Sequence, residues 1–447
     1  MEQVIITLPN AVEKALAVLS EKGFDAYVVG GCVRDSLLGR VPNDWDITTR
    51  ARPEETMACF KDYRVIETGV RHGTVGVLVD GMLLEITTYR NDGEYLDNRH
   101  PKEVTFSARV EDDLSRRDFT VNAMAYHPAR GLVDLFGGRD DLKARVIRCV
   151  GDPMTRFGED GLRILRAIRF ASVLDFSVEE QTAGAVHASR DLLKNIACER
   201  IREELCKLLC GVGSVNILRE YVDVLGVFLP ELARCQGFEQ NTKYHCYDVW
   251  EHTLQALALN EGKDLVTRLA ILLHDVGKPL CYTEDAAGGH FKGHAQAGVA
   301  ITDEVLHRLR FDNATINRLK LLVELHDLPI LPEKRAVKRL MRRLSDADVL
   351  RLLEVKRCDR LAHAPFFREL PPELEAVPRL LREIRDEDAC LSLRTLAVKG
   401  DDLMALGIPS GKRVGELLNA LLEEVLEERL PNEKEPLLNA VTKWITK

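Results

Sequence analysis

The hydrophobic pattern divides the chain into a mixed N-terminal part and a long helical remainder. Before residue 150, short β-branched runs at 74–79 and 83–88 flank Asp80-Gly81, and this combination predicts a β-hairpin. Beyond residue 150, apolar residues recur at three- and four-residue spacing, as in 162–170 and 414–428, which predicts helices. The sequence therefore predicts an α+β chain, with a small N-terminal α/β head followed by a long all-α body.

Length and chain breaks predict how this architecture is divided. At roughly 100–200 residues per domain, a chain of 447 residues should hold several domains. Breaks rich in glycine or proline fall at 151–153, 211–213 and 365–378. We therefore expect four parts: a head at 1–150, a neck at 151–215, a body at 216–365 and a tail at 366–447.

Composition narrows the class of protein. Lysine and arginine number 62 against 71 aspartates and glutamates, a net charge of −9, so any nucleic acid must meet a local basic surface. No stretch reaches the ~18 apolar residues of a membrane span, and the N-terminus lacks the basic start and apolar core of a secretory signal. Eleven cysteines without a CxxC pair predict reduced thiols. We expect a globular, cytoplasmic protein with no membrane partner, and the sequence leaves its oligomeric state open.

Two glycines and two aspartates form the sharpest local pattern. Gly30 and Gly31 follow an apolar run, and Asp44 and Asp46 come shortly after them. Adjacent glycines let backbone N–H groups approach a phosphate closely. If residues 44–47 are extended, both carboxylates point to one face, where a cation such as Mg²⁺ would relieve their repulsion and add substrate phosphates to its shell. The pattern predicts a magnesium–nucleotide site, although an Asp-x-Asp pair alone is more often a solvated turn.

These residues belong to a longer pattern. Gly30-Gly31-x-Val33-Arg34-Asp35 with Asp44-x-Asp46 resembles the first motif of the class II tRNA nucleotidyltransferases (CCA-adding enzymes) and bacterial poly(A) polymerases. Four further segments resemble later motifs of that family in the same order: 116–123 (RRDFTVNA), 134–139 (DLFGGR), 159–166 (EDGLRILR) and 197–205 (ACERIREEL). Together, ordered motifs of this kind are highly specific.

The resemblance implies an enzyme that adds CCA to tRNA 3′ ends from CTP and ATP without a nucleic-acid template and releases pyrophosphate. It implies Mg²⁺ held by the catalytic residues Asp44 and Asp46. Glu85, on the strand predicted at 83–88, is left as either a third carboxylate that orients the metals or an ordinary strand residue. The nucleotide-binding residues that the resemblance implies are Gly30, Gly31, Arg34, Arg117, Asp118, Asn122, Asp160, Arg163 and Arg166.

Asp160 and Arg163 also carry an argument of their own. They are three residues apart, so on a helix they share one face. Aspartate accepts hydrogen bonds and arginine donates them, while cytosine and adenine each present an amino donor beside a ring-nitrogen acceptor. Uracil and guanine place a carbonyl there, which would leave a buried polar group unpaired. We therefore predict that this pair selects CTP and ATP, with a surface ion pair as the alternative.

Three further regions bear on a tRNA substrate. The polar segment at 90–106 resembles the loop that helps CCA-adding enzymes switch from C to A, which favours complete CCA addition. Residues 400–432 resemble the helical tail that holds the tRNA elbow in that family. Basic residues outnumber acidic ones at 334–360, and either a phosphate-contacting face or a solvated helix face would explain this.

A histidine-rich stretch indicates a second site. Leu272-Leu-His274-Asp275-Val-Gly277-Lys278 resembles the signature of the HD phosphohydrolase superfamily, and imidazoles with carboxylates suit a divalent transition metal. The resemblance implies an accessory metal-dependent phosphohydrolase, or a scaffold kept for structure alone. It implies that a first metal is held by His252, His274, Asp275 and Asp359. A second metal, if one binds, would be held by His294 and His326, and His245 and His290 are spare.

Three other functions stay open at this point. An A-adding enzyme or poly(A) polymerase would share the same head. A phosphohydrolase would have its main activity in the HD domain. A non-catalytic RNA-binding protein is opposed by Asp44 and Asp46, because clustered carboxylates repel phosphate.

Overall fold

The computed structural model describes residues 4–92, 104–387 and 390–445, and the chain forms two compact units, residues 1–230 and 231–447. The first unit holds a mixed sheet, and the described part of the second is helical apart from one hairpin, which confirms the predicted α+β class. The expected division at residues 150, 215 and 365 is finer than these units and stays a prediction. Among the helices that the structure describes, none is long and apolar enough to cross a membrane.

The strands of the first unit are short. They are β1 (Ala26–Val29), β2 (Asp46–Thr49), β3 (Arg64–Ile66), β4 (Thr74–Val79), β5 (Met82–Thr88), β6 (Arg90–Asp92), β7 (Val104–Phe106), β8 (Met124–His127), β9 (Gly131–Asp134), β10 (Val146–Ile147) and β11 (Ser177–Val178). Seven form one sheet in the order β3-β4-β5-β2-β1-β8-β9, in which β2 and β5 run parallel and the other neighbours antiparallel. The remaining strands pair as β6–β7 and β10–β11.

The predicted hairpin is present, and its turn explains why it forms. Asp80 and Gly81 join β4 to β5 with φ values of 49° and 82°, the left-handed conformations that a tight hairpin turn requires. Alternate residues of β4, namely Val75, Val77 and Val79, are fully buried, so one face of the hairpin packs on the core.

The helices of the first unit flank the sheet in sequence and then follow it. They are α1 (Asn10–Glu21), α2 (Gly31–Leu37), α3 (Pro53–Cys59), α4 (Val110–Ser115), α5 (Gly138–Ala144), α6 (Pro153–Glu159), α7 (Leu162–Leu174), α8 (Glu180–Ser189), α9 (Cys198–Leu209), α10 (Ser214–Glu220) and α11 (Val222–Leu225), with α12 (Pro230–Ala233) at the unit boundary. The segments at 151–153 and 211–213 lie at helix boundaries, because α6 begins at Pro153 and the second segment separates α9 from α10. Their role as domain breaks stays a prediction.

The second unit is built from helices α13 (Val249–Leu259), α14 (Leu265–Leu273), α15 (Lys278–Cys281), α16 (His294–Arg308), α17 (Asn313–Leu325), α18 (Lys334–Arg343), α19 (Asp346–Ala362), α20 (Glu373–Asp386), α21 (Gly400–Ala405), α22 (Lys412–Leu426) and α23 (Lys434–Ile445). A hairpin of β12 (Thr283–Asp285) and β13 (Gly288–His290) lies between α15 and α16. The sequence gives no apolar signal for it. The expected break at 365–378 is shorter than predicted, because α20 continues through Pro378.

Side-chain caps fix where four of these helices begin. The side chains of Asp248, Asp264, Asp312 and Ser345 each accept a hydrogen bond from the backbone N–H three residues later, at the starts of α13, α14, α17 and α19. Such caps stabilise a helix start by about 1 kcal/mol each. The same four helices, with α16, carry the histidine-rich site.

Candidate active site and metal centre

One edge of the seven-stranded sheet collects the residues of the first motif. β1 runs into Gly30, and its antiparallel neighbour β2 begins at Asp46. On the other side of β2, the parallel strand β5 places Glu85 directly opposite Asp46. Asp44 is exposed and lies just before β2, Trp45 is buried, and Asp46 is half-buried at the start of the strand.

These carboxylates form a negatively charged cluster. Burial raises the pKa of the Asp46 carboxyl above its ordinary value, the Glu85 and Asp44 carboxylates raise it further, and Arg117 opposes the shift. Like charges gathered at one edge are stabilised by a cation, and an all-oxygen donor set fits Mg²⁺. Among the described residues, sets of three or more side chains whose ligand atoms lie within 4.8 Å of one another occur only in the second unit. The carboxylates of Asp44, Asp46 and Glu85 are therefore not all within 4.8 Å of one another.

Gly30 has a backbone conformation that favours glycine, with φ of 82°. Its N–H donates to the carbonyl of Met124 at 3.1 Å, which ties the turn to the start of β8. A Cβ atom at this position would lie 2.9 Å from Arg117 Nη1. The absence of a side chain therefore lets the Arg117 guanidinium approach the backbone beside the acidic edge.

A chain of polar contacts links the first motif to α7. Arg34 Nη1 donates to Asn122 Oδ1 at 2.6 Å, and Asn122 Nδ2 donates to Asp118 Oδ1 at 3.2 Å. Asp118 Oδ2 accepts from Arg166 Nε and Nη2 at 2.9 and 2.6 Å. Burial would raise the pKa of Asp118, but Arg166, Asn122 and the Phe119 N–H lower it to about 2. The structure thus brings together four of the predicted nucleotide-binding residues.

Asp113 is a buried carboxylate that sequence reasoning missed. Its side chain accepts from Arg116 Nη2 at 2.6 Å, and from Arg117 Nη2 and Thr48 Oγ1 at 3.2 Å. Burial would raise the pKa of Asp113, but Arg117 and Arg116 lower it. Asp113 therefore fixes the guanidinium that lies beside Gly30. Its spacing of three and four residues before the two arginines is the available sequence signal.

Asp160 and Arg163 do not share a helical face, so that part of the prediction is wrong. Asp160 is the C-terminal cap of α6 and has extended backbone, whereas Arg163 lies in the first turn of α7. The partners of the two side chains also differ. Arg163 Nη1 donates to Glu159 and Nη2 to the carbonyl of Arg116 at 3.3 Å, while Arg200 Nη2 donates to Asp160 Oδ2 at 3.3 Å. The residues are close in sequence, and separate partners hold each one.

The polar segment predicted to switch between C and A lies mostly outside the described residues, which stop at Asp92 and resume at Val104. The flanking strands β6 and β7 pair with each other. The role of this segment therefore stays a prediction.

A second group of polar side chains lies in the second unit, on or directly after α13, α14 and α19. His252 Nε2 is 2.9 Å from Asp359 Oδ1 and 3.6 Å from Asp275 Oδ2. His274 Nε2 is 3.2 Å from Asp275 Oδ2 and 3.6 Å from Asp359 Oδ1. One ligand atom from each of these four residues lies within 4.8 Å of the others. The structure thus brings together the four residues predicted for a first metal.

Asp275 also belongs to a second group, with His294 and His326. Its Oδ1 is 3.4 Å from His294 Nε2 and 3.7 Å from His326 Nε2. The Nδ1 atoms of His274, His294 and His326 lie 2.7, 2.9 and 2.6 Å from the backbone carbonyl three residues earlier. Donation from Nδ1 leaves each Nε2 lone pair facing the cluster, the arrangement that metal-ligating histidines commonly show.

The donor set fits a divalent transition metal. His274 Nε2 is buried and makes no hydrogen bond. Burial would lower the pKa of His274, but Asp275 and Asp359 raise it to about 10, so the surrounding charge favours a cation. Imidazole nitrogens with carboxylate oxygens are ligands typical of zinc, manganese, iron or nickel.

Two members of this cluster were not predicted as ligands. His363 Nδ1 lies 2.8 Å from the carbonyl of Asp359, and its ring groups with His245 and His252. Its position four residues after Asp359 is the sequence signal for it. Lys278 Nζ lies 2.6 Å from Asp275 Oδ2 and 3.2 Å from His245 Nε2. His245, expected to be spare, therefore lies within the cluster.

His290, the other expected spare, lies apart from these ligand groups. It is exposed on β13 and pairs with Asp285 at 3.0 Å.

The basic residues of α18 are committed to acidic partners in the same unit. Lys338 Nζ is 2.7 Å from Glu428, while Arg339 and Arg342 pair with Glu427 and Glu423 on and just after α22. Three cations of this stretch are thus paired within the unit, and its role as a phosphate-contacting face or a solvated helix face stays a prediction. The cations hold α18 against the tail helix.

Three family models match parts of the chain. The model for the Poly A polymerase head domain matches residues 26–148, and the probable RNA and SrmB-binding site of polymerase A matches residues 175–235. The putative tRNA nucleotidyltransferase domain 2 matches residues 298–441. Together the three matches include parts of both units.

Full-length relatives and solved structures agree. The CCA-adding enzyme of Levilactobacillus brevis is 36% identical over 443 residues, covering 97% of this chain and 98% of the relative. That of Lactobacillus helveticus is 48% identical over 230 residues, covering 51% of this chain and 57% of the relative. The structure of the Bacillus stearothermophilus CCA-adding enzyme in complex with CTP matches 98% of this chain and 100% of that one, with a TM-score of 0.73 and 29% identity.

A more distant structure shows the same fold. The Thermotoga maritima CCA-adding enzyme complexed with tRNA_CCA matches 99% of this chain and 97% of that one, with a TM-score of 0.57 and 22% identity, which shows the shared fold alone. The motifs, the fold and the near-complete coverage by relatives agree, and the chain belongs to the CCA-adding enzyme family of nucleotidyltransferases.

Proposed function

We propose that this chain adds CCA to the 3′ end of tRNA, using CTP and ATP and releasing pyrophosphate. The observation that carries the proposal is the sheet edge at which Asp44, Asp46 and Glu85 lie beside Gly30. Asp44 and Asp46 would hold Mg²⁺, with Glu85 as the third carboxylate, and the bound ion would supply positive charge for nucleotidyl transfer. The tRNA 3′-hydroxyl attacks the α-phosphate, and the α–β phosphoanhydride bond breaks.

The arginines and glycines orient the nucleoside triphosphate. The absence of side chains at Gly30 and Gly31 would let the phosphates approach the backbone, and Arg117 lies beside Gly30. Asp118 and Asn122, held between Arg34 and Arg166, would contact the ribose. The buried charge network keeps these groups in place before the nucleotide binds, which reduces the cost of ordering them.

Asp160 and Arg163 would read the base. Glu159 holds the Arg163 guanidinium, and Arg200 holds the Asp160 carboxylate. Each side chain is thus oriented by its own partner, although Asp160 caps the end of α6 and Arg163 lies on α7. A base that lacks an amino donor beside a ring acceptor would leave Asp160 or Arg163 unpaired, which disfavours UTP and GTP.

Ordered incorporation tests the main proposal. Wild-type protein, Mg²⁺ and labelled CTP or ATP are supplied with tRNA ending at the discriminator base, at C, or at CC. We expect two cytidines and then one adenosine, whereas an A-adding enzyme or poly(A) polymerase would leave CTP unused. Asp46→Asn should lower kcat by about 10³-fold, because removing one group that stabilises a transition state typically has an effect of about that size.

The matched control is Asp62→Asn, because Asp62 is an exposed aspartate of the same unit outside the motifs. It should retain wild-type rates. Full incorporation by Asp46→Asn would contradict the site assignment.

We propose a second function, metal-dependent phosphoester hydrolysis, at the histidine-rich cluster. The favouring observation is the pair of ligand groups that share Asp275. A cavity of about 270 Å³ opens onto them, lined also by Lys278, Lys292, Phe291 and His363. Two lysines beside oxygen and imidazole donors suit an anionic phosphate group. The bound metal would supply Lewis acidity.

Metal content tests this second function independently of activity. Protein loaded separately with Zn²⁺, Mn²⁺ or Ni²⁺ and then desalted should retain metal, while His274→Asn should lose it. His290→Asn is the matched control, because His290 is an exposed histidine of the same unit. Hydrolysis of p-nitrophenyl phosphate should follow metal content, and His274→Asn should leave CTP incorporation intact. Equal metal content in His274→Asn and wild type would refute the site.

We also propose that the protein works in the cytoplasm. All eleven cysteines are free thiols, which supports a reducing compartment.

A further inference from the structure

One phenyl ring lies among three guanidinium groups in the first unit. The Cζ atoms of Arg34, Arg166 and Arg169 lie 5.2, 5.3 and 3.5 Å from the centroid of the Phe170 ring. The ring is buried, with 6% of the residue exposed, and it also meets Phe119 edge-on at 5.8 Å. Phe170 therefore contacts side chains from α2, from α7 itself and from the segment before β8.

Each of these guanidinium groups is committed to a polar partner. Arg34 donates to both oxygens of Asp35 and to Asn122, and Arg166 donates twice to Asp118. Arg169 Nε donates to Glu204 Oε2 at 2.8 Å, on α9. Because guanidinium N–H groups lie in the plane of the group, these hydrogen bonds hold the edges of each cation and not its flat faces.

The ring adds a cation–π attraction to these hydrogen bonds. Three like charges converging on a buried position repel each other, and an aromatic face attracts a cation through its quadrupole. A leucine of similar bulk offers packing without that quadrupole. The Phe170 ring lies close to the Arg34 and Arg166 guanidinium groups, whose partners Asn122 and Asp118 would contact the ribose.

We propose that Phe170 is a positioning residue for nucleotide binding. It aligns Arg34, in the glycine motif, with Arg166, in the base-reading motif, so that one nucleoside triphosphate meets both. This inference rests on the proposed nucleotidyl transfer. It predicts that losing the ring raises KM for CTP and for ATP more than it lowers kcat.

Ring fluorination tests the proposal while preserving shape. Phenylalanine analogues with one, two, three and five fluorines, incorporated at position 170, weaken cation attraction stepwise. We expect KM for CTP and ATP to rise stepwise to about tenfold, equivalent to about 1.4 kcal/mol, with the melting temperature nearly constant. Phe170→Leu should show at least that rise, and Phe170→Tyr should recover most of the wild-type KM.

Phe157→Leu is the matched control, because Phe157 is a fully buried phenylalanine of the same unit, on α6. It should lower stability as Phe170→Leu does while leaving KM near wild type. A constant KM across the fluorinated series, or an equal KM change in both leucine variants, would overturn the positioning role. Failure of wild-type protein to incorporate CTP or ATP would instead overturn the proposed function and, with it, this inference.

Discussion

Replacing Asp118 by asparagine should destabilise the first unit by an amount that depends on pH. The carboxylate is buried and bonded to Arg166, and its pKa falls from 3.8 to about 2. At about 1.4 kcal/mol per pKa unit, this shift corresponds to about 2 kcal/mol of stability at neutral pH. Asp118→Asn also leaves Arg166 without its carboxylate, so we expect a loss of at least about 2 kcal/mol.

The sign of the pH dependence follows from the direction of the shift. A carboxyl group whose folded pKa is lowered contributes its full stability above its unfolded value of 3.8. That contribution is lost as the pH falls from about 4 through about 2. The stability difference between wild type and Asp118→Asn should therefore be constant from pH 7 to 5 and then shrink.

Tryptophan fluorescence provides a reporter for this unit. The chain holds three tryptophans, and only Trp45 lies in the first unit. In a Trp250→Phe, Trp444→Phe background, urea unfolding followed at Trp45 would measure the first unit alone. An unchanged midpoint at pH 7, or a difference independent of pH down to 2.5, would refute the charge-pair reasoning.

Three further outcomes are expected. Gly30→Ala should raise the KM for CTP because its Cβ would meet Arg117. The control Gly23→Ala has the same φ of 82° and no atom within 4 Å, so it should cost only about 1–2 kcal/mol of stability. Equal KM values for CTP in the two variants would contradict this prediction. Arg200→Met should increase misincorporation of UTP and GTP, because it removes the partner that holds Asp160. Lys207→Met, at an exposed position on the same helix, should not. Unchanged fidelity in Arg200→Met would contradict the role of Arg200. Chelator treatment should lower the calorimetric melting temperature of metal-loaded wild-type protein but not of His274→Asn; equal shifts would contradict the metal site.

The sequence predicts local features well where they depend on neighbouring residues. The β4–β5 hairpin follows from alternation and from two turn residues, and α7 follows from three- and four-residue spacing. Tertiary partners leave no such trace. Arg34 and Asn122 are 88 residues apart, and nothing in either segment predicts their hydrogen bond without the family resemblance.

Charge patterns mislead for the same reason. Lys338, Arg339 and Arg342 of α18 look available in sequence, but their partners lie on and after α22, more than 80 residues away. The spacing of Asp160 and Arg163 predicts a shared helical face, but Gly161 separates two helices at that point. Periodicity detects contacts within one element, and it does not detect where the element ends.

The parallel pairing of β2 with β5 restricts where insertions and deletions can occur near Asp46 and Glu85. Because Asp46 and Glu85 are partners in one ladder, backbone hydrogen bonding sets their spacing at about 4.8 Å between strands, and no flexible loop intervenes. A shift of one residue would turn Glu85 to the opposite face of the sheet. The turn at Asp80-Gly81 precedes β5 and lies outside its pairing with β2, so insertions in the turn would leave the register of the two acids unchanged. Insertions and deletions are therefore tolerated in the turn before β5, but not within the part of β5 that pairs with β2.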